Sequence, residues 1–253
     1  MTSAEQTDAG HDLALRAALL DGPKGVAAWR AWRSSTTVDE LEPDAQWLLA
    51  LLYCTLRAQG VAANELVRYA SVYRHHWYRN MLMLRQFERA TVVDTTAAAS
   101  TIADGGDGVG GVAACRVLFA GAAIAFERVG QIGARPFQAV ETLDAVALLH
   151  GESLAAELAT RARPVTWRGA TWWVIDPADH LVFVCLGGAD WDSRSSLLWL
   201  SDAASLIVLH PDIDGARVER VACRLGRTRE VDAALRTVAE RCGVQAPWMV
   251  VHS

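Results

Sequence analysis

Lysine is almost missing from this chain: Lys24 is the one lysine among 253 residues. Lysine Schiff-base chemistry and the phosphate-gripping lysine of a P-loop therefore have a single place to occur, in an N-terminal loop. Cysteine is sparse as well. Cys54, Cys115, Cys185, Cys223 and Cys242 lie far apart with no C-x-x-C pair, and nothing points to a zinc cluster or an oxidised framework. They sit in apolar runs, where a free thiol behaves as a small hydrophobe, so burial is expected. No G-x-S-x-G elbow and no recognisable cysteine–histidine dyad is present.

A basic excess is also lacking. The formal net charge is -5, which leaves no global positive field to hold nucleic acid. The longest apolar run, VAACRVLFAGAAIAF, is broken by Arg116 and Gly121, too interrupted to span a membrane. The first residues, MTSAEQTDAGHD, are polar and acidic without the charged-then-apolar pattern of an export signal. The expectation is a cytoplasmic protein with neither a nucleic acid nor a membrane as partner.

Helical periodicity, by contrast, is abundant. Amphipathic helices are predicted over 12–20 and 25–33, the second with Trp29 and Trp32 one turn apart. A stronger helix follows the acidic entry at 39–43 and ends at about Gln59, with Gly60 as its cap. Over 62–90, Leu66, Tyr69, Tyr73, Trp77, Met81, Leu84 and Phe87 recur at three to four residues, the stripe of a long helix that continues weakly to Ala103. Strands are predicted at 113–120, 138–149, 164–168 and 171–175, the last two as a hairpin turned at Arg168-Gly169-Ala170. Further helices are expected at about 152–161, 177–186, 194–209, 214–225 and 228–242. The pattern reads as α+β, a small mixed sheet flanked by helical regions at both ends: 1–103, 104–175 and 176–253.

Several groups could carry chemistry. The run Tyr73-Arg74-His75-His76-Trp77-Tyr78-Arg79-Asn80 is the densest polar-aromatic cluster. Adjacent histidines on a helix point about 100° apart, which suits one packed and one solvated ring better than a shared metal. A literal G-x-G-x-x-G at Gly106, Gly108 and Gly111 precedes a strand instead of following one, the wrong context for a dinucleotide fingerprint. Ten tryptophans are present, and on a regular strand Trp172 and Trp173 face opposite sides, one toward a core and one toward solvent or a ligand. Asp176, Asp179, His180, Asp190 and Asp192 offer acid–base groups. Asp176-Pro177 has the form of a helix N-cap with proline first, and Asp202 that of a buried hydrogen-bonding residue within a helix.

The order of strand, Gly121, helix, Arg135-Pro136 and a second apolar run resembles the core of the nucleotidyltransferase superfamily. More narrowly, it resembles a bacterial group of nucleotidyltransferases whose members read L-L-K-G-A-A-L and then R-P-M-x-D-x-D-x-L-V. Here FAGAAI and RPFQAVETLDAV occupy those places. The stretch VFVCLGGADWDSRSSLLWLSD is similar to the group's P-E-D-x-L-L-x-x-C-x-H-G-A-x-W and L-R-W-L-x-D, and the similarity covers most of 12–250 in family order. In that group the two aspartates hold the divalent metals that carry a nucleoside triphosphate. This chain puts Ala120 at the lysine, Ala139 at the first aspartate, Glu141 at the second and Gly187 at the histidine, and it shortens the segment that brings a third acid.

The resemblance thus implies a sheet of nucleotidyltransferase type from which the metal-holding pair is lost, with no metal and no cofactor. Alternation keeps 139 and 141 on one face of a strand, so one ligand of two survives. The expected function is binding or tailoring of a small-molecule or peptide intermediate, in specialised-metabolite biosynthesis, by metal-free acid–base and shape catalysis. The alternatives are a non-catalytic scaffold for a pathway enzyme and a surviving Mg²⁺-dependent nucleotidyltransferase. Glu141, His76 and Arg135 are the expected catalytic residues. Tyr73, Arg79, Gly121, Gln138, Trp173 and Trp191 are expected to contact the substrate in a cleft between helix 62–90 and the sheet.

Overall fold

The computed structural model describes residues 3–38, 41, 45–101, 117–119, 131–134, 141–142, 150, 152–167, 170–190 and 196–249. Helix dominates them. The helices are α1 (Ser3–Leu19), α2 (Gly22–Ser35), α3 (Leu48–Ala58), a 3-10 turn (Ala63–Leu66), α4 (Val67–Thr101), α5 (Glu152–Thr160), α6 (Pro177–Asp190), α7 (Ser196–Leu209), α8 (Gly215–Arg224) and α9 (Thr228–Cys242). The strands are β1 (Val117–Phe119), β2 (Glu141–Thr142), β3 (Arg163–Trp167) and β4 (Ala170–Val174). Their order is β2-β1-β4-β3. β1 pairs antiparallel with β2 and parallel with β4, while β3 and β4 form an antiparallel hairpin, so the small sheet is mixed and the fold α+β.

The chain divides into two compact units. One holds Met1–His76, Gly133–Arg135 and Pro177–Ser253; the other holds Trp77–Ile132 and Pro136–Asp176. The first and last helices therefore share one unit. In it α1 packs on α2, α3, α7 and α9, and α6 packs on α7, α8 and α9. Helix α7, SLLWLSDAASLIVL, is buried at every position from Leu200 to Ile207, as expected of a helix apolar on all sides. A clasp ties α1 to α9. Arg16 donates from Nε to the Arg241 carbonyl at 3.0 Å and from Nη2 to the Glu240 carbonyl at 2.8 Å, and Arg241 returns a bond to Asp12 at 2.8 Å. Guanidinium groups suit this place because the last carbonyls of a helix lack intrahelical donors.

Local signals explain the boundaries. Helix α3 ends in a Schellman motif: Gly60 has φ +80°, its N–H donates to the Arg57 carbonyl, and the Val61 N–H donates to Leu56. Pro177 opens α6, as a proline at the first helical position can. Asp214 caps α8 by accepting the Arg217 backbone N–H at 3.0 Å, and that bond holds its carboxyl below the usual range. In the other unit, Trp167 lies opposite Ala170, so two residues join the hairpin strands. Pro164 sits on β3, an edge strand where a missing N–H is tolerated. The buried side chains of this unit include Met81, Leu84, Leu154, Leu158, Trp172 and Val174.

Two expectations are corrected. Helix α1 begins at Ser3, not residue 12; its polar first half has no apolar periodicity to reveal it, but includes the helix-favouring Ala4, Glu5, Gln6 and Ala9. Within the expected strands 113–120 and 138–149, Val117–Phe119 and Glu141–Thr142 are strand, and the other positions lie outside the described residues. Cys223 is exposed, on the outer side of α8, although Cys185 and Cys242 are buried as expected and Cys54 is partly so. The glycine-rich loop at 104–111 lies outside the described residues.

Candidate functional site

The polar-aromatic run falls on α4, where helical spacing sorts its members. His76 is buried and His75 exposed, one packed ring and one solvated ring as the 100° step requires. Tyr73, one turn before His76, is half-buried beside Tyr53, with ring centroids 5.2 Å apart. Burial lifts its phenol above the ordinary 10.0 and the neighbouring Cys54 adds to this, while the Gly133 backbone N–H and Arg57 pull the other way. Arg79 is exposed, roughly 120° round the helix from Tyr73, so the expected wall of Tyr73, His76 and Arg79 is not one face.

Asn80 occupies the place that Arg79 was expected to hold. It is fully buried and donates from Nδ2 to the Ile132 carbonyl at 2.6 Å. A buried carboxamide bonded to a loop carbonyl fixes that loop at this point, because leaving either partner unsatisfied costs about 1–3 kcal/mol. The two loop contacts of α4, Tyr73 with Gly133 and Asn80 with Ile132, come just before the Arg135-Pro136 pair. Sequence reasoning included Asn80 in the run but gave it no role. Its signal was position: it follows His76 by four residues and Tyr73 by seven, on one helical face.

On the sheet, Phe119 is the partner of Glu141, Leu118 of Thr142, and Val117 and Leu118 pair with Trp173 and Val174. Strand alternation then puts positions 117, 119, 141 and 173 on one face and 118, 142 and 174 on the other. Trp172 and Val174, on the second face, are buried; Trp173 is half-buried. Glu141 and Trp173 are thus brought to one face across β1. Arg135, Gly121, Gln138 and Trp191 lie outside the described residues. Tyr73 and His76 belong to the first compact unit, Arg79, Glu141 and Trp173 to the second.

The acid–base groups expected near α6 have another use. Asp179 is fully buried and accepts from Arg217 Nε of α8 at 2.6 Å, and His180 beside it is fully buried. These groups lie in the packing of helices and do not face solvent. Asp176 pairs with Arg161 at 3.2 Å. Asp202 is buried within α7, as its place in L-W-L-S-D suggested. The Asp179–Arg217 pair was missed because its members are 38 residues apart, and no local pattern links them. Among the described residues, no three His, Cys, Asp or Glu side chains come together as a metal site, and no helix is long and apolar enough to cross a membrane. Compared with known proteins, the chain matches no family model, no curated protein and no solved structure.

Proposed function

We propose that this chain is a nucleotidyltransferase-like protein that has lost metal-dependent nucleotidyl transfer and uses the same sheet face to hold a small-molecule or peptide intermediate. The observation that carries the reading is the strand register. It sets positions 141 and 173 on one face, and in the sequence Ala139 stands where the resemblance puts the first aspartate. Paired metals need convergent carboxylates. One carboxylate position and one indole position on a shared sheet face suit different chemistry, in which the indole covers an apolar body and the carboxylate takes or gives a proton when water is excluded. The adjacency of β1 and β2 supports the strand order on which the resemblance rests.

The test is a thermal-shift series with ATP, GTP and CTP, each with and without Mg²⁺, since a ligand of the folded state must raise its stability. No Mg²⁺-dependent stabilisation is expected. A shift matching micromolar affinity would overturn the reading in favour of a working nucleotidyltransferase. Glu141→Ala and Trp173→Ala, assayed for pathway product in the producing host, are the second arm. Loss of product with normal folding supports the sheet-face site; unchanged product from both replaces it with a non-catalytic scaffold.

A further inference from the structure

Within the first compact unit, α2 and the turn after α3 enclose a groove of about 570 Å³, inside the range of small-molecule sites. Trp29, Arg30 and Arg33 form one wall, and Gln59, Val61 and Glu65 the other. The wall is rigid at its base. Trp29 is buried, and its indole N–H donates to the Tyr69 hydroxyl at 3.4 Å. The Schellman turn at Gly60 fixes the opposite side.

The groove has more positive hydrogen-bond donors than it uses. Arg33 lies over the Trp29 ring at 5.0 Å and gives one nitrogen, Nη1, to Glu65 at 3.0 Å. A guanidinium carries five N–H donors in a planar fork, so most of Arg33 is left to a ligand. Arg30, one turn away, is exposed and makes no ion pair among the described residues. The Arg33–Glu65 pair is itself exposed, at 48% and 43% of the side-chain surfaces, and exposed pairs hold weakly enough to be exchanged for another carboxylate or phosphate. Gln59 gives its Nε2 to the Leu20 carbonyl, while its Oε1 is buried and accepts no hydrogen bond.

We propose that the groove between α2 and the α3–α4 turn binds an organic anion, a carboxylate or phosphate carried on an apolar body, with Arg30 and Arg33 as the anion clamp and Glu65 as a displaceable occupant. The site is separate from the sheet face and stands or falls without it. Two guanidiniums one turn apart match the spread oxygens of such an anion. Val26 and Val61, which line the groove, take the apolar part.

Calorimetric titration of the full chain at low ionic strength with phenyl phosphate and with phenylacetate is the test. Saturable binding of at least one probe is expected, and which one binds assigns the anion as phosphate or carboxylate. Arg30→Gln with Arg33→Gln should weaken it about tenfold or more, whereas Glu65→Gln should tighten it about threefold by removing a competing charge. Arg33→Lys, which keeps the charge but not the fork, should fall between wild type and the double variant. Unchanged melting temperatures in these surface variants exclude misfolding as the cause. No saturable binding of either probe up to about 10 mM, or a Glu65→Gln change that weakens binding as the arginine variants do, would overturn the proposal.

Discussion

Removing one partner of the Asp179–Arg217 pair should cost far more than removing both. The pair is 2.6 Å long with side-chain exposures of 0% and 10%. At an effective dielectric near 20, attraction between unit charges about 3–4 Å apart is roughly 4–6 kcal/mol. Taking two ions out of water costs several kcal/mol each, so the net value of the pair is small. Asp179→Leu alone instead removes the counter-charge that lies 2.6 Å from a buried guanidinium, an expected loss of about 3–5 kcal/mol. For a chain of this size that lowers the melting temperature by roughly 6–20 °C. Arg217→Met should cost a similar amount by taking the 2.6 Å partner from a buried carboxylate. The double variant Asp179→Leu with Arg217→Met should lie within about 1 kcal/mol of wild type, because apolar groups of similar volume replace both charges. Urea unfolding of all four proteins, followed by circular dichroism, gives the coupling energy directly. A coupling below about 1 kcal/mol would refute the reasoning, as would a double variant that loses the sum of the single losses.

Two further outcomes follow from single positions. A Cβ at Gly25 would overlap the Leu20 carbonyl and crowd Gln59, so Gly25→Ala should destabilise by about 1–3 kcal/mol in spite of alanine's better helix propensity, measured by urea unfolding; a gain in stability would contradict the close α1–α2 packing. Burial pushes the thiols of Cys185 and Cys242 up to about 12. In a Cys115→Ser background at pH 8, exposed Cys223 should react at once with a thiol reagent and part-buried Cys54 more slowly, with Cys185 and Cys242 reacting only on unfolding. The sign on stability follows: both folded-state values lie above the ordinary 9.0, so the thiols' contribution is complete below pH 9 and is lost as pH rises toward 12.

Elements with a strong local period were legible in the sequence. The helix expected at 228–242 is α9 residue for residue, and the hairpin forms where alternation placed it, with each strand one residue earlier and Ala170 on β4 instead of in the turn. Gly60 caps α3 because a left-handed residue there satisfies carbonyls that nothing else can reach. What was not legible is tertiary. Asn80 reads as one more polar residue on a helix until Ile132 is folded against it, and Asp179 reads as an acid–base group until Arg217 is folded against it. The groove could not be read for the same reason: α2 and the turn after α3 are apolar-polar mixtures whose arginines gain meaning only when the two walls face each other. Of the sheet site, alternation gave the shared face of 139 and 141, but the approach of Trp173 needed the parallel pairing of β1 with β4.

The clasp between α1 and α9 has a consequence for synthesis. Arg16 bonds to carbonyls 224 and 225 residues further along the chain. At a ribosomal rate of about 5–20 residues per second, roughly 11–45 s pass between the emergence of these groups. During that interval Leu15, Leu19, Trp29 and Trp32, all buried in the finished unit, have only part of their eventual cover. The unit that holds α1 and α9 cannot finish folding until α9 has emerged, whereas the second unit, whose last residue is Asp176, has emerged in full before then. Until then the apolar faces of the first two helices stay partly open to chaperones and to aggregation.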